Sequence, residues 1–159
     1  MASATKAVNA HVLVPSTARI TEIPNNDDSI RVSLYAVTHP KWLVDSGATH
    51  HISPVRSDFV QYTPTLGVVS LGGRAEIRQI GIGTIVIRAQ IGDHSTKITL
   101  HNVLHVPDAD ARYFSITVLL EKGGMITFKD KSFTISIGNT DLAIGYMERR
   151  LFWFDASIV

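Results

Sequence analysis

The chain has 159 residues, 45% of them hydrophobic and 18% charged, which is ordinary globular material and enough for one domain with a real core. With 15 basic and 14 acidic residues the net charge is +1, which gives no electrostatic ground for a nucleic-acid or anionic-membrane partner. Cysteine is absent, which excludes a disulfide scaffold and a thiol nucleophile and suits a reducing compartment. No apolar run approaches the roughly 20 residues that span a bilayer. The amino terminus lacks the charged, apolar and small-residue order of a signal peptide, so no secretory leader is expected.

Residues 1–28 read as a linker or flexible N-terminal extension. Their start, Met1-Ala2-Ser3-Ala4-Thr5, is small and polar, and Pro24-Asn25-Asn26-Asp27-Asp28 is a strong loop signal. Val12, Leu13 and Val14 are candidates for an outer strand, and residues 30–37 alternate weakly as a first strand of a domain over residues 29–159. Then comes Trp42-Leu43-Val44-Asp45-Ser46-Gly47-Ala48-Thr49. Three apolar residues run into a carboxylate, as in a strand entering a core, and Ser-Gly gives a tight turn whose glycine admits close backbone approach. The tripeptide alone fits a surface turn equally well. The apolar run before it, Ala-Thr after it and the strand pattern downstream favour a carboxylate delivered at the end of a buried strand.

Strand signals dominate the rest of the chain. Residues 67–71 and 75–80 flank Gly72-Gly73 and read as a hairpin. Residues 84–91 place Ile85, Ile87, Ala89 and Ile91 on one face, and after the Gly92-Asp93-His94 turn residues 96–106 place Ile98, Leu100, Leu104 and Val106 on one face. Residues 115–122 are the credible helix, with Ile116, Leu119 and Leu120 at helical spacing and Gly123 at the expected terminus. Ile126 and Phe128 then face Phe133, Ile135 and Ile137, and residues 142–146 and 151–154 turn around Glu148-Arg149-Arg150. Many short strands with regular turns predict an all-β, closed or nearly closed barrel with one short helix.

The run from Trp42 through Thr49 to His50-His51-Ile52 resembles the active-site loop of retropepsin-like aspartic proteases, and in particular the protease region of copia-type retrotransposon polyproteins. The resemblance continues through Ile80-Gly81-Ile82-Gly83-Thr84, Leu100-His101-Asn102-Val103-Leu104-His105-Val106-Pro107, Tyr113-Phe114-Ser115-Ile116 and Lys122-Gly123-Gly124-Met125-Ile126-Thr127-Phe128. It covers roughly residues 40–155, and the order and spacing of the pieces make it specific. It implies a retropepsin-like barrel, one lobe per chain, and an endopeptidase that cuts its own gag-pol precursor inside the cell, in cytoplasmic virus-like particles. Such an enzyme activates water with two carboxylates that share a proton, without metal or cofactor. The chain carries one Asp-Ser-Gly; Asp93, Asp130 and Asp155 are not followed by Ser-Gly or Thr-Gly. The second carboxylate is therefore expected from Asp45 of a second copy, in an isologous homodimer. By resemblance Ser46 bonds across the dimer, Gly47 brings backbone amides to the dyad, and Ala48 and Thr49 line the loop's exit near substrate. Local turn bonding is the alternative for Ser46 and Thr49. Gly72 and Gly73 are the candidate tip of a flap closing over an extended peptide, against the alternative of a plain surface hairpin. One departure from the family pattern is Ser115, which occupies the place where many retropepsins have glycine.

Other constellations carry less. The chain has 7 histidines, but His50 and His51 point to opposite faces on a strand, and His101 and His105 are four apart in a strand, not a helix. No metal site is expected. Gly81-Ile82-Gly83 precedes a strand, unlike a dinucleotide fingerprint. Ser46 with a histidine lacks a nucleophile elbow, and Trp153 reads as core or interface. The competing class is a catalytically silent barrel of the same fold, serving as a dimerisation or protein-interaction module.

Overall fold

The computed structural model describes residues 40–70 and 76–159. The expected linker and first strands, and the hairpin tip Gly72-Gly73, lie outside the described residues. The order is β1 (Lys41–Asp45), β2 (Ile52–Ser53), a 3₁₀ turn (Arg56–Asp58), β3 (Phe59–Ser70), β4 (Glu76–Ile91), β5 (His94–His105), β6 (Arg112–Ser115), α1 (Ile116–Glu121), β7 (Gly124–Lys129), β8 (Ser132–Ile137), β9 (Thr140–Glu148) and β10 (Leu151–Ile158). The described residues are thus mostly β, with one short α-helix.

Ten strands form one sheet in the order β3-β4-β5-β2-β6-β1-β10-β9-β8-β7, and β10 also pairs with β4. The pairings therefore return from β10 to β4 and give the sheet a barrel-like form. At its middle, β1 runs parallel to β6 and antiparallel to β10. A strand so placed is covered on both faces, which explains its unbroken apolar sequence. Trp42 and Val44 enter one core cluster with Ile85, Phe114 and Phe154; Leu43 enters a second with Ile52, Leu104 and Tyr113. Burying each of these large side chains contributes about 1.5–3 kcal/mol. The carboxylate at the strand's end is thus anchored by two cores at once.

Several strands depart from expectation. The hairpin arms are longer than residues 67–71 and 75–80: β3 starts at Phe59 and β4 continues through Gly81-Ile82-Gly83 to Ile91. Pro64 sits inside β3, next to a register shift between Pro64 and Gly67, and is tolerated because β3 is the sheet's edge. In β5 the single-face pattern breaks at Asn102, whose φ is 54°. Leu100 and Val103 go to the first cluster, and Leu104 and Val106 to the second. In α1 Leu119 is buried, but Leu120 is 55% exposed although it shares the expected face. The helix has only 6 residues and packs through little more than one turn. Gly123, at φ 74°, follows the Lys122 cap as the left-handed residue that ends the helix.

Candidate active site around Asp45

Asp45 is the last residue of β1 and stands in register with Ser115 of the parallel strand β6. Its Oδ1 accepts a hydrogen bond from the Gly47 amide at 2.7 Å. Gly47 is not in the left-handed region; its small size matters because a Cβ there would lie 3.2 Å from Asp45 Oδ1. Ser46, Gly47, Thr49 and His50 are exposed, whereas Ala48 and His51 are buried. The alternation of His50 out and His51 in follows the expected strand-like parity.

The two buried residues hold the loop, and both are held by Ser115. Ser115 Oγ donates to the Ala48 carbonyl at 2.5 Å and accepts from the Val118 amide at 3.2 Å, which caps α1. The Ser115 amide donates to His51 Nδ1 at 3.0 Å. The His51 ring lies 4.8 Å from the Phe114 ring, and its carbonyl accepts from the Leu104 amide at 2.9 Å. Burial, with a smaller contribution from neighbouring His50, lowers the His51 pKa to about 4. Ser115, at the place where many retropepsins have glycine, is therefore the fully buried hub of the loop.

An open cleft of about 300 Å³ lies beside Asp45. The loop supplies Asp45, Gly47, Ala48, Thr49 and His50, and the end of β3 supplies Val68, Val69 and Ser70. The end of the hairpin arm thus lines the same cleft as the carboxylate. Val68 is 64% exposed, and Val69 packs against the second core cluster. Thr49 Oγ1 shares a hydrogen bond with His50 Nδ1 at 3.0 Å, a contact between side chains and not a turn bond to backbone.

The base of the hairpin has its own polar cluster. Tyr62 Oη donates to the Ile80 carbonyl at 3.1 Å and shares a hydrogen bond with His105 Nδ1 at 2.9 Å. The Arg56 guanidinium lies 3.7 Å from the Tyr62 ring centre. Gly81 is required here, since a Cβ would fall 2.2 Å from Tyr62 Cζ. His105 is buried and His101 exposed, because the Asn102 kink separates their faces. Burial, opposed by the Pro54 backbone and Asp58 and aided by the Arg56 charge, lowers the His105 pKa. Among the described residues no three His, Asp or Glu side chains converge as a metal site.

Gly47, Ala48 and Thr49 line the cleft together with Asp45, whereas Ser46 is exposed and is not among the lining residues. Sequence reading missed the roles of His51 and Tyr62, and the buried ion pair in which Arg112 Nε lies 2.6 Å from Asp58 Oδ2. Ser115 carried a usable signal, a serine just before apolar residues at helical spacing. A buried histidine paired with a distant backbone amide carries none.

The sequence profile of the family described as "Pol polyprotein, beta-barrel domain" matches residues 42–124, more than half of the chain. The chain is 30% identical over 119 residues to "Retrovirus-related Pol polyprotein from transposon TNT 1-94" of Nicotiana tabacum, covering 74% of the chain and 9% of that protein. It is 29% identical over 108 residues to "Retrovirus-related Pol polyprotein from transposon RE1" of Arabidopsis thaliana, covering 65% of the chain and 7% of that protein. The chain therefore spans less than a tenth of the length of these relatives. No solved structure matches it.

Proposed function

The chain belongs to the Pol polyprotein beta-barrel domain family, and we propose that it is the aspartic endopeptidase of a retrotransposon polyprotein, a retropepsin-like closed barrel that works as a homodimer on the precursor containing it. One observation carries this reading. Asp45 leaves a doubly buried strand, is held at Oδ1 by the Gly47 amide, and faces Val68–Ser70 across an open cleft.

Two Asp45 carboxylates, one from each protomer, meet on the twofold axis. Like charges a few Å apart do not both ionise cheaply, so the pair keeps one proton. The ionised carboxylate takes a proton from water as it attacks the peptide carbonyl, and the protonated one donates to the carbonyl oxygen. The Gly47 amide fixes Oδ1, and Ser46, which is exposed, bonds to the partner protomer in this reading. The peptide lies extended in the cleft, with backbone hydrogen bonds to the hairpin and side chains in alternate pockets. On sequence grounds Gly72 and Gly73, which fall between the two arms, are the proposed flap tip. The chemistry asks for no metal or cofactor, and the near-neutral charge favours a polypeptide partner over nucleic acid or a membrane surface. The site of action is the cytoplasmic particle in which the polyprotein assembles.

A silent interaction module would keep the same Asx turn between Asp45 and the Gly47 amide, so cleavage itself separates the two readings. The test is cleavage of the polyprotein precursor by the native chain and by Asp45→Asn, over a dilution series followed by sedimentation. Native activity should rise with protein concentration until the dimer is saturated, and Asp45→Asn should have none. A competent monomer or an active Asp45→Asn would end this reading; a dimer without cleavage would favour the interaction module.

A further inference from the structure

We propose that His51 is a positioning residue: its Nδ1, accepting the Ser115 amide, keeps the Asp45 loop in register with β6 and α1. The effect on catalysis rests on the proteolytic reading; the effect on the loop does not.

Ladder geometry shows why a side chain is needed. Ile52 of β2 pairs with Tyr113 of β6, so continued antiparallel pairing would bring residue 50 opposite Ser115. The chain instead turns outward and His50 is exposed. The Ser115 amide would lose its partner there, and a buried N–H without a partner costs about 1–3 kcal/mol. The His51 ring fills the place at 3.0 Å. Ser115 also holds the Ala48 carbonyl through Oγ, and Asp45 is its register partner in β1. Both anchors of the otherwise exposed loop therefore converge on one residue beside the carboxylate.

An amide N–H donates only to a ring nitrogen that carries no proton. His51 must then be neutral, with its proton on Nε2. Protonation of Nδ1 would set one N–H against another and release the loop. The residues packed on the ring from β6 are Phe114 and Ser115, and Leu104 of β5 binds its carbonyl; all are uncharged. The titratable neighbour that acts on it is His50, which opposes a second positive charge.

The test uses the full chain with His51→Asn and His51→Leu. Asparagine Oδ1 stands where Nδ1 stood and accepts without titrating; leucine fills space without accepting. Ser115 amide exchange is read by NMR from mildly acidic to neutral pH, beside kcat and KM on the precursor peptide. In His51→Leu the Ser115 amide should exchange at least about tenfold faster. Its kcat should fall by about 10- to 100-fold with KM little changed, the cost of a misplaced reacting group. His51→Asn should retain Ser115 protection and most of kcat, and its protection should not fade in acid as the native chain's does. The proposal is overturned if His51→Leu keeps native protection and kcat, or if His51→Asn loses as much as His51→Leu. Should His51→Leu fail to fold, the native chain against His51→Asn in acid decides alone. Should protection behave as expected while the native chain cleaves nothing, the proteolytic reading fails and the positioning role stands.

Discussion

Asp58 and Arg112, 54 positions apart, close a buried two-point ion pair, with Nε to Oδ2 at 2.6 Å and Nη2 to Oδ1 at 3.0 Å. Ser53 Oγ donates to the same Oδ2 at 2.5 Å. The pair ties the 3₁₀ turn that launches β3 to the first residue of β6. It therefore joins the root of the hairpin to the strand that carries Ser115. Arg112→Met should destabilise the fold by about 3–5 kcal/mol, because a carboxylate is left buried without its countercharge. Replacing both partners, as Asp58→Leu with Arg112→Met, should recover much of the loss. Urea unfolding of the single and double variants checks this; a double variant as unstable as the single would refute the account.

The hydrophobic frame and the local geometry of the Asp45 loop are legible in the sequence because each rests on neighbours in the chain. Trp42-Leu43-Val44 before Asp45, the serine before α1 and Gly123 after it are local signals. The full length of the hairpin arms is not legible, because Gln61, Thr63, Pro64 and Thr65 break the apolar alternation, which an edge strand tolerates. Asn102 reverses the face of β5 through one backbone angle that no periodicity reveals. The Asp58–Arg112 pair and the His51–Ser115 bond join residues 54 and 64 positions apart, and neither side of either pair marks its partner in the sequence.

Acid should weaken the fold through His51. Its folded pKa of about 4 lies below the ordinary 6.5 because burial, aided by His50, penalises the charged ring. Between those values the unfolded chain binds the proton and the folded chain does not. Stability is therefore complete above the upper value and declines as pH falls toward the lower one, by roughly 3 kcal/mol for this group. His105, lowered chiefly by burial, adds a change of the same sign. Unfolding free energies across this window should show a shallower slope for His51→Asn than for the native chain. Equal slopes would remove His51 as the cause.

The β9–β10 turn is suboptimal and can be improved. Glu148 pairs with Leu151, leaving a two-residue loop whose Arg149 and Arg150 have φ of 50° and 65°. Two successive left-handed residues suit Asn-Gly, not two arginines. Replacing Arg149-Arg150 by Asn-Gly should stabilise the fold by about 1 kcal/mol, or about 2–4 °C in Tm. Both side chains are exposed, so little packing is lost. Calorimetry decides, and an unchanged or lower Tm would show that the turn is not strained.

Gly47→Ala separates the chemistry of the loop from its folding. The added methyl would lie 3.2 Å from Asp45 Oδ1, on the carboxylate that the Gly47 amide holds at 2.7 Å. Something must shift by a few tenths of an ångström, and the side chain free to move is Asp45. The residue is exposed and is not left-handed, so stability should change by no more than about 0.5 kcal/mol. In the proposed homodimeric protease turnover is more sensitive, because the same carboxylate from each chain would double the displacement. A fall in kcat approaching about 100-fold is expected, with dimer affinity and Tm near native. Kinetics at concentrations that saturate the dimer, with a thermal melt on the same preparation, tests this. Native turnover in Gly47→Ala would mean that Oδ1 is not held for catalysis by the Gly47 amide.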